Sequence, residues 1–320
     1  MMKKSLFLAA LFALTIHLNA TADKLQKLTL QLDWFVNPDH AAVIVAQQQG
    51  FFKANGLEVE IVEPADPSLP PKLVAAGKSD LAVTYQPQLL MDIDQGLPLV
   101  RVATLISTPL NSLVVLESSG IKSLADLKGK KIGYSVSGFE EALLGTMLKS
   151  EGLTLKDVEP INVNWSLSPS LISKQVSAVI GAFRNFELNQ LAQEKHPGFA
   201  FYPEEHGVPI YDELIVVANK NKLNDKTYQA TLSAFITALE QATVYLINHQ
   251  QQAWQDFVSY KPTELDNELN RLAWKDTLPR LSLSPRGLDQ HRYQKMAQFM
   301  QEQGLIKQIP TLNDMAQQIE

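Results

Sequence analysis

Five short stretches of this 320-residue chain carry the side chains best suited to holding a small molecule. DWFVNPDH contributes Asp33, Trp34, Asn37 and His40; TYQPQ contributes Tyr85 and Gln86; STPLN contributes Asn111. YSVSGFEEA adds Ser135, Ser137, Phe139 and Glu140, and GAFRNFE adds Arg184, Asn185 and Glu187. The chemistry is that of recognition. Aromatic rings stack on a flat ligand, amides both donate and accept, and carboxylates accept from amino groups. Each stretch also has a plainer use. Trp34 can be a packing aromatic, Asn37 before a proline is a good turn former, and Asp39 or His40 suits a helix start. Glu187 favours a helix N-terminus through the dipole. The joint pattern, rather than any one residue, points to a site.

Reactive constellations are missing. The chain has no G-x-S-x-G elbow, phosphate-binding loop or H-E-x-x-H pair, and GKKIGYSVSG lacks the spacing of a dinucleotide site. Its six histidines, one of them in the first 22 residues, are scattered without metal-ligand spacing. There is no cysteine, which excludes a disulfide framework, a thiolate nucleophile and a thiolate metal site. No catalytic residue, metal or cofactor is expected.

The elements that must position these stretches follow from periodicity. Leu28, Leu30 and Leu32 alternate with polar neighbours as a strand, HAAVIVAQQQGFF reads as a helix closed near Gly50, and LEVEIV alternates again. A helix-like PKLVAAGK and the strand DLAVTY complete a strand–helix–strand–helix–strand run, the mark of an α/β sheet with largely parallel strands. The pattern restarts after residue 115, with strands at KKIGYS, PINVNW, AVIGAF and DELIVVANK and helices between them. Residues 225–320 are almost all helical in pattern, beginning with an amphipathic run from Tyr228 to Asn248. The apolar strands LVVL at 113 and LIVV at 214 join the two α/β halves. The expectation is two lobes with a cleft between them, and the polar stretches lie at strand ends, where open α/β sheets bind ligands. The boundaries expected are 23–114 with 216–320 for the first lobe and 115–215 for the second.

Composition sets the setting. The chain is 45% hydrophobic and 19% charged with a formal charge of −6, and no Lys/Arg cluster offers a nucleic acid a footing. Lys3 and Lys4, an apolar run from Ser5 to Leu18 and the small residues Ala20 and Ala22 form a secretory leader over 1–22. Without a cysteine at the cleavage site there is no lipid anchor, and no later segment reads as a membrane span. A free periplasmic monomer, meeting the membrane only through a partner, is expected.

DWFVNPDH, TYQPQ, GAFRNFE and HGVPIYDEL, with SLADLKGKKIGYS between them, resemble the NMT1-like, thiamine-pyrimidine branch of periplasmic binding proteins, over residues 28 to about 260. That resemblance implies a two-lobed α/β periplasmic binding protein fold of type II, each lobe a mostly parallel sheet flanked by helices, with two crossing strands as hinge. It implies an ABC-importer subunit that carries N-formyl-4-amino-5-aminomethyl-2-methylpyrimidine or a hydroxymethylpyrimidine to an inner-membrane permease and its ATPase. On that reading Trp34 and Tyr85 sandwich the pyrimidine, with Phe139 or Tyr211 from the other lobe. Glu187, then Glu140, accepts from its amino group, and Asn37, Asn111 and Asn185 meet its substituent, with His40 and Gln86 alongside. Arg184 is expected to face solvent. The same fold family includes a hydroxymethylpyrimidine phosphate synthase that uses a lysine and a histidine of its own; the matching positions here read Thr84 and Gln88. Other small organic ligands, such as a sulfonate, taurine or a riboflavin-like ring, are the alternatives.

Overall fold

The computed structural model describes residues 25–320, and the leader expected at 1–22 lies outside the described residues. Among them run ten strands: β1 (Gln26–Gln31), β2 (Leu57–Val62), β3 (Leu81–Thr84), β4 (Leu99–Ile106), β5 (Asn111–Leu116), β6 (Lys131–Tyr134), β7 (Glu159–Asn162), β8 (Ala178–Phe183), β9 (Gly198–Phe201) and β10 (Leu214–Asn219). They form two five-stranded sheets, ordered β2-β1-β3-β10-β4 and β7-β6-β8-β5-β9. In the first, only β10 runs against its neighbours, and in the second only β5 does. The two lobes therefore repeat one plan of four strands pointing one way and one returning.

The reversed strands matter for the site. A reversed strand begins at the edge where its neighbours end. Asn111 thus opens β5 and pairs with Phe183 at the end of β8, rather than closing a strand as the sequence pattern suggested. Likewise Ile215 of β10 pairs with Thr84 at the end of β3, so the residues before it arrive beside Tyr85. LVVL and LIVV each lie wholly inside a sheet, the second and the first respectively. Every residue of β5 and β10 is buried, and such apolar strands are covered on both faces. The crossings between lobes fall in 107–110 and 202–213.

Two strands carry little sequence signal. β9 is four residues, half of them glycine or alanine. β4 contains Arg101, fully buried, whose guanidinium donates to Thr104 Oγ1 at 2.8 Å and to the carbonyls of Pro285 at 3.0 Å and of Gly287. Those carbonyls come from the C-terminal part of the chain, which ties it to the first sheet.

The expected helix after β1 is two helices, Ala41–Gln48 and Phe51–Ala54, divided at Gly50, whose φ of 72° an L side chain rarely adopts. The first is buried over Ala41 to Ala46, and it packs against Lys226–Asn248 and Gln250–Ser259. Lys226–Asn248, at 23 residues, is long and apolar enough to cross a membrane, contrary to the sequence expectation. It turns Leu232, Phe235, Ile236, Leu239 and Leu246 into the core instead. Helix Glu268–Thr277 has a different position. It touches Pro38–His40 of the first lobe and helix Glu187–Gln193 of the second, so it spans the two.

Candidate ligand-binding site

At the shared edge of the two sheets lies a cavity of about 350 Å³, mouth included. Of that space only about 20 Å³ can be reached by the centre of a water molecule, room for roughly one water, so a ligand is admitted only when the lobes part. The first lobe lines it with Asp33, Trp34, Asn37, Asp39 and Tyr85, and the second with Glu140, Leu167, Gly181, Phe183, Phe186 and Glu187. Four of these are carboxylates, and among the described residues no lysine, arginine or histidine lines the cavity.

Local chain geometry aims the first group. Asn37 caps the short helix Pro38–His40, its Oδ1 accepting from Asp39 N–H at 2.8 Å. His40 Nδ1 accepts from Asn37 N–H at 3.3 Å, which leaves Nε2 to donate to Asp33 Oδ1 at 2.8 Å. Tyr85 donates its hydroxyl to the other oxygen of Asp33 at 2.9 Å. Both nitrogens of His40 are therefore spent on the protein. It orients Asp33 and is not a lining residue.

The carboxylates of the second lobe are held by backbone. Glu140 Oε2 accepts from the N–H groups of Ser135 at 2.6 Å and Val136 at 3.1 Å. Glu187, the first residue of its helix, accepts from Phe183 N–H at 2.6 Å. These bonds do not offset desolvation: burial pushes the carboxyls of both Glu140 and Glu187 up to about 8. Burial also raises Asp39 to about 6, against the pull of His40, Asn185 and Thr277. Behind the cavity, Glu213 accepts from the N–H groups of Leu110 at 2.5 Å and Asn111 at 2.8 Å, and burial lifts it to about 7. Near neutral pH this wall can both donate and accept, because a protonated carboxyl carries an O–H.

The aromatic faces differ from the expected sandwich. Tyr85 and Phe139, from opposite lobes, stack on each other with centroids 5.2 Å apart and planes 18° from parallel. A ligand ring enters between them only if the lobes part. Phe183 meets Tyr85 edge-on at 6.3 Å. Trp34 stands against Trp165 of the other lobe at 4.5 Å. Tyr211 is fully buried, edge-on to Phe139 at 6.4 Å, and its hydroxyl donates to Glu213 at 3.4 Å. It supports Phe139 and does not face the cavity.

Of the eleven residues expected at the site, Trp34, Asn37, Tyr85, Glu140 and Glu187 line the cavity. The other six form the layer behind it. Gln86 accepts from Asp212 N–H at 2.8 Å, Asn111 accepts from Gly181 N–H at 3.1 Å, and Asn185 donates to Asp39 at 2.6 Å. His40, Phe139 and Tyr211 complete that layer. Arg184 is not solvated. It grips Glu204 through two bonds of 2.6 and 3.0 Å, donates to the carbonyls of Leu110 and Asn111, and lies over the Tyr202 ring at 4.0 Å. Asp39, Leu167, Gly181, Phe183 and Phe186 are cavity residues that the sequence did not single out as ligand contacts. Asp39 sits in a stretch that turn chemistry explains, and its role depends on partners 146 and 238 positions away.

This architecture is that of the periplasmic binding proteins. The alkanesulfonate-binding protein SsuA from Xanthomonas axonopodis pv. citri, bound to MOPS, superposes with a TM-score of 0.69 at 16% identity, over 89% of this chain and 95% of that one. Residues 37–253 match the family model described as NMT1/THI5 like. A Haemophilus influenzae protein named for thiamine biosynthesis is 65% identical over 97% of each chain. The formylaminopyrimidine-binding protein of Halalkalibacterium halodurans is 33% identical over 78% of this chain and 76% of its own. The 4-amino-5-hydroxymethyl-2-methylpyrimidine phosphate synthase of Uromyces fabae is 28% identical over 77% of this chain and 74% of its own. The chain belongs to the NMT1/THI5-like family.

Proposed function

We propose that this chain is the periplasmic substrate-binding component of an ABC importer for a thiamine pyrimidine precursor, a formylated aminomethylpyrimidine or a hydroxymethylpyrimidine. The observation that carries the reading is the cavity wall, with four carboxylates beside aromatic rings and no cationic side chain among the described residues. An aminopyrimidine offers amino donors, a ring nitrogen and a flat face, which such a wall complements. A sulfonate or other anion would find no cationic partner in that wall, so the likeness to a sulfonate-binding protein supports the fold alone. The name of the Halalkalibacterium relative supports the same ligand class.

Binding draws the lobes together around the ring, and the closed form is what a membrane permease and its ATPase recognise. Isothermal calorimetry with 4-amino-5-hydroxymethyl-2-methylpyrimidine and its formylaminomethyl counterpart is expected to give micromolar or tighter binding to one of them. Absence of heat with both sinks the ligand assignment.

The synthase relative supplies the second reading. The family resemblance implies a lysine and a histidine in such a synthase where this chain has Thr84 and Gln88, and Gln88 is occupied in donating to Asp92 at 2.8 Å. Incubation with pyridoxal phosphate is expected to leave the cofactor's absorbance spectrum unchanged; a Schiff-base band would favour the enzyme.

A further inference from the structure

Asp39 has its two oxygens in different circumstances. Oδ1 accepts from Asn185 Nδ2 of the second lobe at 2.6 Å and from Thr277 Oγ1 at 3.0 Å, and Asn185 Nδ2 also donates to Thr277 Oγ1 at 2.7 Å. Oδ2 is buried and has no hydrogen-bond partner among the described residues. Asp39 is 1% exposed and lines the cavity. A buried carboxylate oxygen left unpaired is costly, and is retained where something else meets it.

We propose that Asp39 is shared between ligand and lobe interface: Oδ2 accepts a hydrogen bond from an N–H or O–H donor of the bound molecule while Oδ1 holds Asn185 of the opposite lobe. The ligand class rests on the reading above. A donor on Oδ2 favours the ionised carboxylate, and an ionised carboxylate accepts more strongly from Asn185 and Thr277. Ligand binding and lobe closure then reinforce each other through one side chain, and the coupling is reciprocal. The raised Asp39 carboxyl, near 6 without such a donor, is consistent with a group that a ligand tips toward the charged state.

The test is a double-mutant cycle read by calorimetry with 4-amino-5-hydroxymethyl-2-methylpyrimidine and its formylaminomethyl counterpart. Asp39→Asn keeps an acceptor for Asn185 and turns the second oxygen into a donor, so affinity is expected to fall at least about tenfold. The free variant is expected to melt no lower than wild type, since a buried charge is gone. Asn185→Ala is expected to weaken binding several-fold in wild type and much less in the Asp39→Asn background. Thr277→Val removes a donor to Oδ1 without touching the cavity, and several-fold weaker binding is expected there too, which keeps the test decisive if Asp39→Asn folds poorly. Wild-type affinity in Asp39→Asn or Thr277→Val, or independent effects in the cycle, overturns the shared role and leaves the ligand assignment standing. No binding of either pyrimidine by wild type overturns both.

Discussion

Glu140 occupies the space that a side chain at Gly181 would need. A Cβ built on Gly181 would lie 2.6 Å from Glu140 Oε2 and closer still to Oε1, and Gly181 has a φ of 98°. The two residues come from different elements, a helix start and the middle of β8, and only glycine lets the carboxyl reach the cavity. Gly181→Ala is expected to push Glu140 off its Ser135 and Val136 bonds, weaken pyrimidine binding at least about tenfold and destabilise the fold by about 1–3 kcal/mol. Calorimetry and thermal melting together check it; an unchanged affinity would mean that Glu140 is not a ligand contact.

Stability should fall as pH rises through neutrality. Glu140 and Glu187 have folded pKa values of about 8, above their ordinary value of 4.5. Between those two values the unfolded chain has released protons that the folded protein keeps, so the unfolded state binds fewer and stability declines with pH. The loss runs from about pH 5 and levels off above about pH 8, and each carboxyl contributes at most about 1.4 kcal/mol of it for every step of one in pH. Denaturant melts of the free protein across that range should show the decline. Glu187→Gln, which cannot ionise, should flatten part of it; an identical slope in the variant would remove Glu187 as its source.

Arg184→Ala should cost stability rather than affinity. The side chain is 11% exposed and ties Glu204 and the Leu110–Asn111 carbonyls into one group beside the crossing between lobes. Loss of the fork leaves Glu204 and those carbonyls short of donors, at about 1–3 kcal/mol. A lower melting temperature with a dissociation constant within a few-fold of wild type is the expected result. A large loss of affinity at unchanged stability would place Arg184 in the site after all.

Trp34 and Trp165 should report closure. Their rings, one from each lobe, lie 4.5 Å apart, while Trp254 and Trp274 pack together elsewhere, at 5.4 Å. Ligand-induced change in tryptophan fluorescence is expected to vanish largely in the double variant Trp34→Phe/Trp165→Phe and to survive in Trp254→Phe. The reverse pattern would show that the mouth of the cleft does not move.

The sequence by itself determined the two-lobed α/β plan, because strand alternation, helical periodicity and glycine stops are local signals written in consecutive residues. It also brought Trp34, Tyr85, Glu140 and Glu187 forward, since each stands next to a strand end that its own segment defines. What only the tertiary structure decided is the division between cavity wall and support. His40 and Asn185 have the chemistry of ligand contacts but spend it on Asp33 and Asp39. Arg184 reads as a surface residue until Glu204 and the carbonyls of Leu110 and Asn111 meet it. Asp39 reads as a helix start until Asn185 and Thr277 arrive from distant positions and take one of its oxygens. Hydrogen-bond satisfaction is a property of packed neighbours, not of chain neighbours, and so it is settled only when the lobes and the helix Glu268–Thr277 come together.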